Sequence, residues 1–324
     1  MNNNDTMNAV IIRQYGGDEV LEYTAVPKPT PGPGEVLVKI HAAGLNYYDV
    51  KIRSGWLHRF FPLRFPHILG NDFAGEVTAV GENVSDYRPG DKVYGMITAF
   101  HGGTYAEYLA VPADLIRRAP ANMSYEEAAA LPMVYLTAWI ALVELGELKA
   151  EQNVLVHGGS GGVGAACIQI AKHVGANVYA TCSAENMEQV RALGADTVID
   201  YQTSDFRTLC KEIDVAMDPI GGQTNLDTYE VMRPGGTIAV VLREDKLEME
   251  NRERLSQQYG VTVKVVAFDL RPDLLDTVRE LAEDGRINPN IRHIFPLHEA
   301  RAAHQILQTT HPGGRIVLKV GSEQ

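Results

Sequence analysis

Residues 158–164 read GGSGGVG, five glycines in seven positions, directly after the apolar run NVLVH. No other stretch restricts the fold as much. A short apolar run that ends in glycines reads as a strand entering a sharp turn. The residues that follow, GVGAACIQIAKHV, carry apolar or small side chains at Val163, Ala166, Cys167, Ile170, Ala171 and Val174. Those positions form one face of a helix. Between strand and helix, Gly159, Gly161 and Gly164 fit the pattern GxGxxG. There the first glycine serves the turn, the second lets the backbone approach a pyrophosphate, and the third allows tight helix–strand packing. The amides at the helix start, at Gly162 and Val163, would face the phosphates with the positive end of the helix dipole behind them. No GK[ST] follows the glycines, which disfavours a nucleoside triphosphate.

The surrounding rhythm extends this reading. NVYATCS, DTVIDY, DVAMD and TIAVV read as strands, AENMEQVRALGA as a helix, and a further helical stretch is expected up to Ile213. Short apolar strands alternating with helices predict a parallel sheet covered on both faces. Residues 8–120 are different: Val-, Gly- and Pro-rich runs such as EVLVKIHAAG are punctuated by PGPG and RPGD, which predicts a compact, mostly β domain. Two helices, PDLLDTVRELAEDG and EARAAHQILQ, and the strand RIVLKV close the chain and are expected to return to that first domain. The expected division is 1–123 completed by 269–324, with 124–268 as the dinucleotide-binding domain. VTVKVVAF (261–268) reads as the last strand of the parallel sheet, an edge able to pair across a two-fold axis, so a homodimer is expected.

Charge and cysteines narrow the partners. There are 29 Lys and Arg against 41 Asp and Glu, for a net charge of −12, and no basic block interleaved with aromatics. Nucleic acid and anionic membrane surfaces are therefore not expected partners. The three cysteines, Cys167, Cys182 and Cys210, form no CxxC pair and suit a reducing, cytoplasmic setting. MNNNDTMNAV lacks the basic and apolar regions of a secretory signal, and no apolar run approaches the ~20 residues of a membrane span.

Which dinucleotide is bound turns on the end of the second strand. Cys182 and Ser183 form its tip, and the absence of an acid there favours a phosphorylated ribose. Glu185, two residues further on, would repel that phosphate or accept ribose hydroxyls. Read from these residues alone, both cofactors remain open.

HGGSGGVGAACIQIAK, RALGADTVIDY, AAGLNYYDVKIRSG, GNDFAGEVTAVG and GGTYAEYLAVPADL together resemble the medium-chain dehydrogenase/reductase superfamily, specifically its zinc-free quinone oxidoreductase branch. The likeness runs through nearly the whole chain. It implies an α/β protein with a GroES-like, mostly β catalytic domain and a doubly wound Rossmann domain, the active site lying in the cleft between them. Segment alignment puts Asn46, Asn71 and Met133 where zinc-dependent relatives hold their catalytic metal. Amide and thioether groups do not replace thiolate and imidazole as zinc ligands, and the closely spaced cysteines of a structural zinc lobe are absent. No metal is expected. Without one, an alcohol has nothing to lower the pKa of its hydroxyl. Hydride transfer to an electron-poor carbon, in quinones or α,β-unsaturated carbonyls, is then the easier chemistry, and the family's activity agrees.

The resemblance also assigns roles. Asn46 is expected near the substrate carbonyl, donating to the developing enolate oxygen. Lys51 would bind the nicotinamide ribose, and Tyr48, at the proton-relay position, would pass a proton or stack on the substrate. Thr137 matches a nicotinamide-side contact; Ile220 and Leu242 match backbone contacts near the carboxamide. Ser183 and Tyr201 match contacts to a 2′-phosphate, so NADPH is the expected cofactor and NADH the alternative. Asn71 and Asp72 read as loop braces, and the aromatic, basic stretch WLHRFFPLRFP (56–66) as a border of the substrate cleft or a packed loop. Two other functions fit the chain: an enoyl-thioester reductase, or a dinucleotide-bound protein without catalytic activity.

Overall fold

The computed structural model describes residues 5–60, 62–241, 245–267, 270–310 and 312–321. The chain begins with strands β1 (Thr6–Ile12), β2 (Glu22–Pro27) and β3 (Glu35–Leu45), and the helix α1 (Tyr47–Arg53). Then come β4 (His67–Ile68), β5 (Asp72–Val80), β6 (Lys92–Met96), β7 (Tyr108–Pro112) and β8 (Ile116–Arg118). Alternation along β3 buries Val36, Val38 and Ile40 against Phe73, Val77 and Val93. Helices α2 (Tyr125–Ala129) and α3 (Pro132–Trp139) follow. The sequence SYEE starts α2 through a reciprocal cap, in which the Ser124 hydroxyl accepts from Glu127 N and the Glu127 carboxylate accepts from Ser124 N.

The middle of the chain runs β9 (Asn153–Val156), α4 (Gly162–Val174), β10 (Asn177–Cys182), α5 (Met187–Ala192), β11 (Thr197–Asp200) and α6 (Phe206–Leu209). It continues β12 (Ile213–Asp218), α7 (Gly222–Thr228), β13 (Met232–Val241), α8 (Lys246–Tyr259) and β14 (Thr262–Val266). All six strands are parallel, in the order β11-β10-β9-β12-β13-β14. This is the doubly wound arrangement, with β14 outermost as its apolar sequence implied. One expectation fails. The helix expected up to Ile213 is a single turn, because Cys210 is already extended and Glu212 has φ of +53°, so Ile213 opens β12 instead.

The last segment adds α9 (Pro272–Glu283), β15 (Ile291–Pro296), α10 (Ala300–Thr309) and β16 (Arg315–Lys319). β16 pairs antiparallel with β3 inside the sheet β15-β16-β3-β5-β6-β8, and β7 also pairs with β3. The sequence reading did not foresee β15. Two compact units result, Met1–Met133 with Leu270–Gln324, and Val134–Asp269. The first change of unit falls inside α3, ten residues after the 123/124 division read from sequence. α2 stays with the first unit because it packs so closely on β3 that a side chain at Gly44 would overlap Ala129 O.

Candidate functional site

In the second unit β9 is where the strand order reverses, with β10 on one side and β12 on the other, and the glycines leave its carboxyl end. The three glycines of the motif have different surroundings. A Cβ on Gly164 would overlap Gly158 O, so this position is closed by packing alone. One on Gly159 would lie 3.1 Å from both Ala180 Cβ and Ile168 Cδ1, tight but not closed. At Gly161 the nearest atom is Gly158 O at 3.4 Å, and φ of −70° suits any residue. Nothing inside the protein requires glycine there. Gly161 is the N-cap of α4, so this position stands at the amino end of the helix. Such a cradle suits a pyrophosphate held against backbone amides, so the residues present fit a dinucleotide.

His157 orders this turn. The Gly158 amide donates to Thr181 Oγ1 at 3.3 Å, and Thr181 Oγ1 meets His157 Nδ1 at 3.1 Å. On its other side His157 Nε2 meets Thr228 Oγ1 at 3.0 Å, and that hydroxyl donates to Thr224 O at 2.7 Å. Because Thr228 spends its proton on a carbonyl, Nε2 must carry the imidazole proton and Nδ1 must accept. Burial pushes the His157 pKa down to about 4, which keeps this neutral form in place. The chain joins the ends of β9 and β10 to α7 without any charge.

The tip of β10 departs from expectation. Ser183 Oγ donates to Glu185 Oε1 at 3.3 Å and accepts from Asn186 Nδ2 at 2.9 Å, while Tyr201 is 54% exposed beside it, its amide donating to Cys182 O at 3.2 Å. A carboxylate therefore sits on the hydroxyl expected to meet a 2′-phosphate. Ile220 lies over the glycine turn, its Cδ1 3.2 Å from where a Cβ on Gly158 would stand. Asp218 holds that loop by accepting from Ile220 N and Gly221 N at 2.7 and 3.0 Å. Thr137 is half-buried on α3, and Leu242 lies outside the described residues.

In the first unit the ends of β3, β5 and β16 meet in a sealed knot of charge. Arg315, 5% exposed, donates from Nε to Ala130 O, from Nη1 to Leu45 O and to Asn46 Oδ1 (2.8 Å), and from Nη2 to Asp72 Oδ2 (3.1 Å). Asp72 also accepts from Asn46 Nδ2 at 3.0 Å and from Met133 N at 3.1 Å. Asn46 is thus committed at both ends of its amide. In this structure the Asn46 side chain braces the start of α1. Asn71 does brace, donating to Ile97 O at 2.6 Å, but Asp72 beside it is the centre of the knot.

Asp49 sits one turn along α1, fully buried, with Oδ2 accepting from Asn46 N at 2.8 Å and from Tyr105 OH at 3.0 Å. Its Oδ1 is buried with no hydrogen-bond partner. Burial is the main force that pushes its carboxyl up to about 7, with the nearby Asp72 adding to the shift. Asp72 is pushed up less, to about 6, because Arg315 and its donors offset part of the burial. Tyr48 is half-buried against the core, and burial together with Asp49 holds its hydroxyl well above the ordinary phenol range. The Lys51 ammonium lies 4.8 Å from the Trp56 ring centroid. Tyr47, 57% exposed, is the neighbour the sequence reading passed over. In WLHRFFPLRFP, Leu57 is buried, Phe60 is exposed and Phe65 packs edge-on to Tyr15; Phe61 lies outside the described residues.

The knot also tests the metal positions. A zinc ion would need thiolate, imidazole or carboxylate donors, but the three aligned positions hold Asn46, bonded to Arg315 and Asp72, Asn71, donating to Ile97 O, and Met133. Met133 contributes its backbone amide to Asp72, and no group of three or more His, Cys, Asp or Glu side chains is placed to hold a metal among the described residues. The residues present do not fit zinc.

Sequence reasoning missed Arg315, Tyr105 and His157. The available signal was a charged or polar residue inside an otherwise apolar strand run, as in GGRIVLKV and VLVHGG.

Comparison with known proteins adds the following. The chain matches the family model described as an alcohol dehydrogenase GroES-like domain over residues 32–121, and one described as a zinc-binding dehydrogenase over residues 193–318. It is 33% identical to a mitochondrial NAD(P)H oxidoreductase, RTN4IP1, of Danio rerio, over 98% of this chain and 92% of that protein. It is equally 33% identical to the chloroplastic quinone-oxidoreductase QR1 of Triphysaria versicolor, over 97% and 98% of the two chains. Among solved structures, the quinone oxidoreductase of Coxiella burnetii superposes with a TM-score of 0.89 at 32% identity, covering 98% of this chain and all of that one. Among the described residues no helix is long and apolar enough to cross a membrane.

Proposed function

The chain belongs to the medium-chain dehydrogenase/reductase superfamily, in its quinone oxidoreductase-like branch, and from that premise we propose that it is an NAD(P)H-dependent reductase of quinones or α,β-unsaturated carbonyls that works without zinc. The observation that carries the reading is Gly161, where the protein's own packing leaves room for a side chain and φ of −70° suits any residue, so that close approach of a pyrophosphate accounts for the glycine.

The backbone at Gly159, Gly161, Gly162, Val163 and Gly164 would hold the pyrophosphate, with Ile220 and Thr137 toward the nicotinamide side. When bound, the reduced nicotinamide would supply a hydride to the electron-poor carbon of the substrate. An enolate oxygen then needs a proton. Tyr48 is the donor we assign, because it stands at the proton-relay position of the family and its phenol carries a proton to give. Lys51 orients the cofactor ribose, and Asn46 acts through α1 by fixing where Tyr48 and Lys51 stand. Asn46, Asn71 and Met133 at the aligned metal positions support the metal-free part of the reading, because amide and thioether groups do not replace thiolate and imidazole as zinc ligands.

Initial rates of NADPH and NADH oxidation, measured in chelator against a quinone, a short enone and an alkenal, test this reading. Saturable turnover is the expected result. Tight cofactor binding with no turnover on any acceptor would turn the reading toward a non-catalytic protein; turnover confined to enoyl thioesters would turn it toward a thioester reductase. A second copy of the chain is the expected partner along β14, whose outer edge includes the 39% exposed Val265. Sedimentation at micromolar concentration would show a dimer, and a monomer would refute it.

A further inference from the structure

We propose that Glu185 makes this site select a dinucleotide whose adenosine ribose carries free hydroxyls and reject one carrying a 2′-phosphate. The inference rests on the reading of the second unit as a dinucleotide-binding domain, and it departs from the NADPH expected on resemblance.

The geometry begins at the glycine turn. Gly159 N donates to Thr181 O at 2.8 Å and Gly158 N to Thr181 Oγ1, so the turn is fastened to β10 two residues before Ser183. Whatever lies in the cradle at Gly161 therefore has the tip of β10 beside it. That tip carries Ser183 as the cap of a short 3-10 turn over Ala184–Asn186. The Ser183 hydroxyl proton is directed at Glu185 Oε1, and one of its lone pairs takes the Asn186 amide at 2.9 Å. It has no second proton to offer a phosphate oxygen.

Charge points the same way. Glu185 presents an exposed carboxyl group, and Asp200 ends β11 next door, opposite Cys182 in the sheet register. A phosphate monoester brings a charge of about −1.5 to −2. Set against a carboxylate it is repelled, and like charges brought together at a binding surface cost affinity. Ribose hydroxyls are donors, and a carboxylate is an acceptor for both. The cation within electrostatic reach of Cys182 is Arg191 on α5. It is a side chain that could favour a phosphate, so it belongs in the test.

Calorimetric titration of the intact protein with ADP-ribose and with 2′-phospho-ADP-ribose reads the selection without any turnover. The unphosphorylated ligand should bind roughly ten-fold more tightly or better. Glu185→Gln should narrow that ratio, and Glu185→Lys should invert it. Arg191→Gln should leave the ratio nearly unchanged. Equal affinities in the wild type, or a preference for the 2′-phosphate that Arg191→Gln abolishes, would overturn the proposal while leaving the domain reading intact. If neither ligand bound at millimolar concentration, both readings would fall together. Because Glu185 is on the surface, thermal melts of the variants should match the wild type, which separates lost selection from lost folding.

Discussion

The two units prepare their sites by opposite means. In the first, Arg315 and Asp72 place formal charges where water does not reach, and the start of α1 is held by their mutual neutralisation. In the second, His157 and two threonines hold the glycine turn with neutral hydrogen bonds, and the important feature is that packing does not close the position of Gly161. A charged knot is strong only while complete, since each ion needs its partner to offset lost hydration. A neutral chain risks less when cut, but it fixes one tautomer and so one pH range. The first arrangement suits side chains that must stand in defined places. The second suits a backbone that must be approached closely.

Breaking the knot should give the largest effect. Arg315→Met leaves Asp72 buried without its cation and should destabilise the protein by about 3–5 kcal/mol in denaturant unfolding. Adding Asp72→Asn to that variant should recover much of the loss. If the single variant is as stable as the wild type, the first unit does not depend on its buried charge.

The pH dependence sharpens the contrast, because the two regions have opposite signs. Asp49 titrates near 7 in the fold against 3.8 for its ordinary value, so between those values the folded chain keeps a proton the unfolded chain has lost. Stability from this group is present below about pH 4 and is lost as pH rises to 7, by at most on the order of 4 kcal/mol. Asp49→Asn should therefore gain on the wild type across that window. A stability difference that does not change with pH would mean Asp49 is ionised throughout.

His157 runs the other way. Its folded pKa near 4 lies below the ordinary 6.5, so the unfolded chain takes up the proton first as the solution is acidified. Its contribution is complete above pH 6.5 and falls away toward pH 4, by on the order of 3 kcal/mol. The penalty of His157→Asn, measured by unfolding at several pH values, should shrink as pH falls through that range. A constant penalty would contradict the neutral tautomer.

The smallest effects separate packing from binding among the glycines. Gly164→Ala should cost roughly 1–3 kcal/mol of stability, since its Cβ has nowhere to go. Gly161→Ala should leave stability within about 0.5 kcal/mol yet weaken dinucleotide binding by about ten-fold or more. Equal losses of stability in both variants would show that Gly161 is a packing glycine like its neighbour.

Much of this molecule is decided by local pattern. The glycine cluster between an apolar strand and an amphipathic helix, repeated alternation afterwards, and Pro-Gly punctuation before it follow from backbone freedom and hydrophobic period, which act over a few residues. They determine the parallel sheet, the β-rich first unit and the glycine turn between β9 and α4. Other features depend on groups far apart in sequence. Arg315 meets Asn46 and Asp72 across more than two hundred residues. Nothing local distinguishes Asn46 as an open donor from Asn46 as a brace, because the difference is whether a guanidinium arrives from β16. Even at short range, Glu185 two residues from Ser183 can turn toward it or away. Periodicity and turn chemistry are properties of the chain, but burial, and with it the pKa of Asp49 and the tautomer of His157, exists only once distant segments exclude water together.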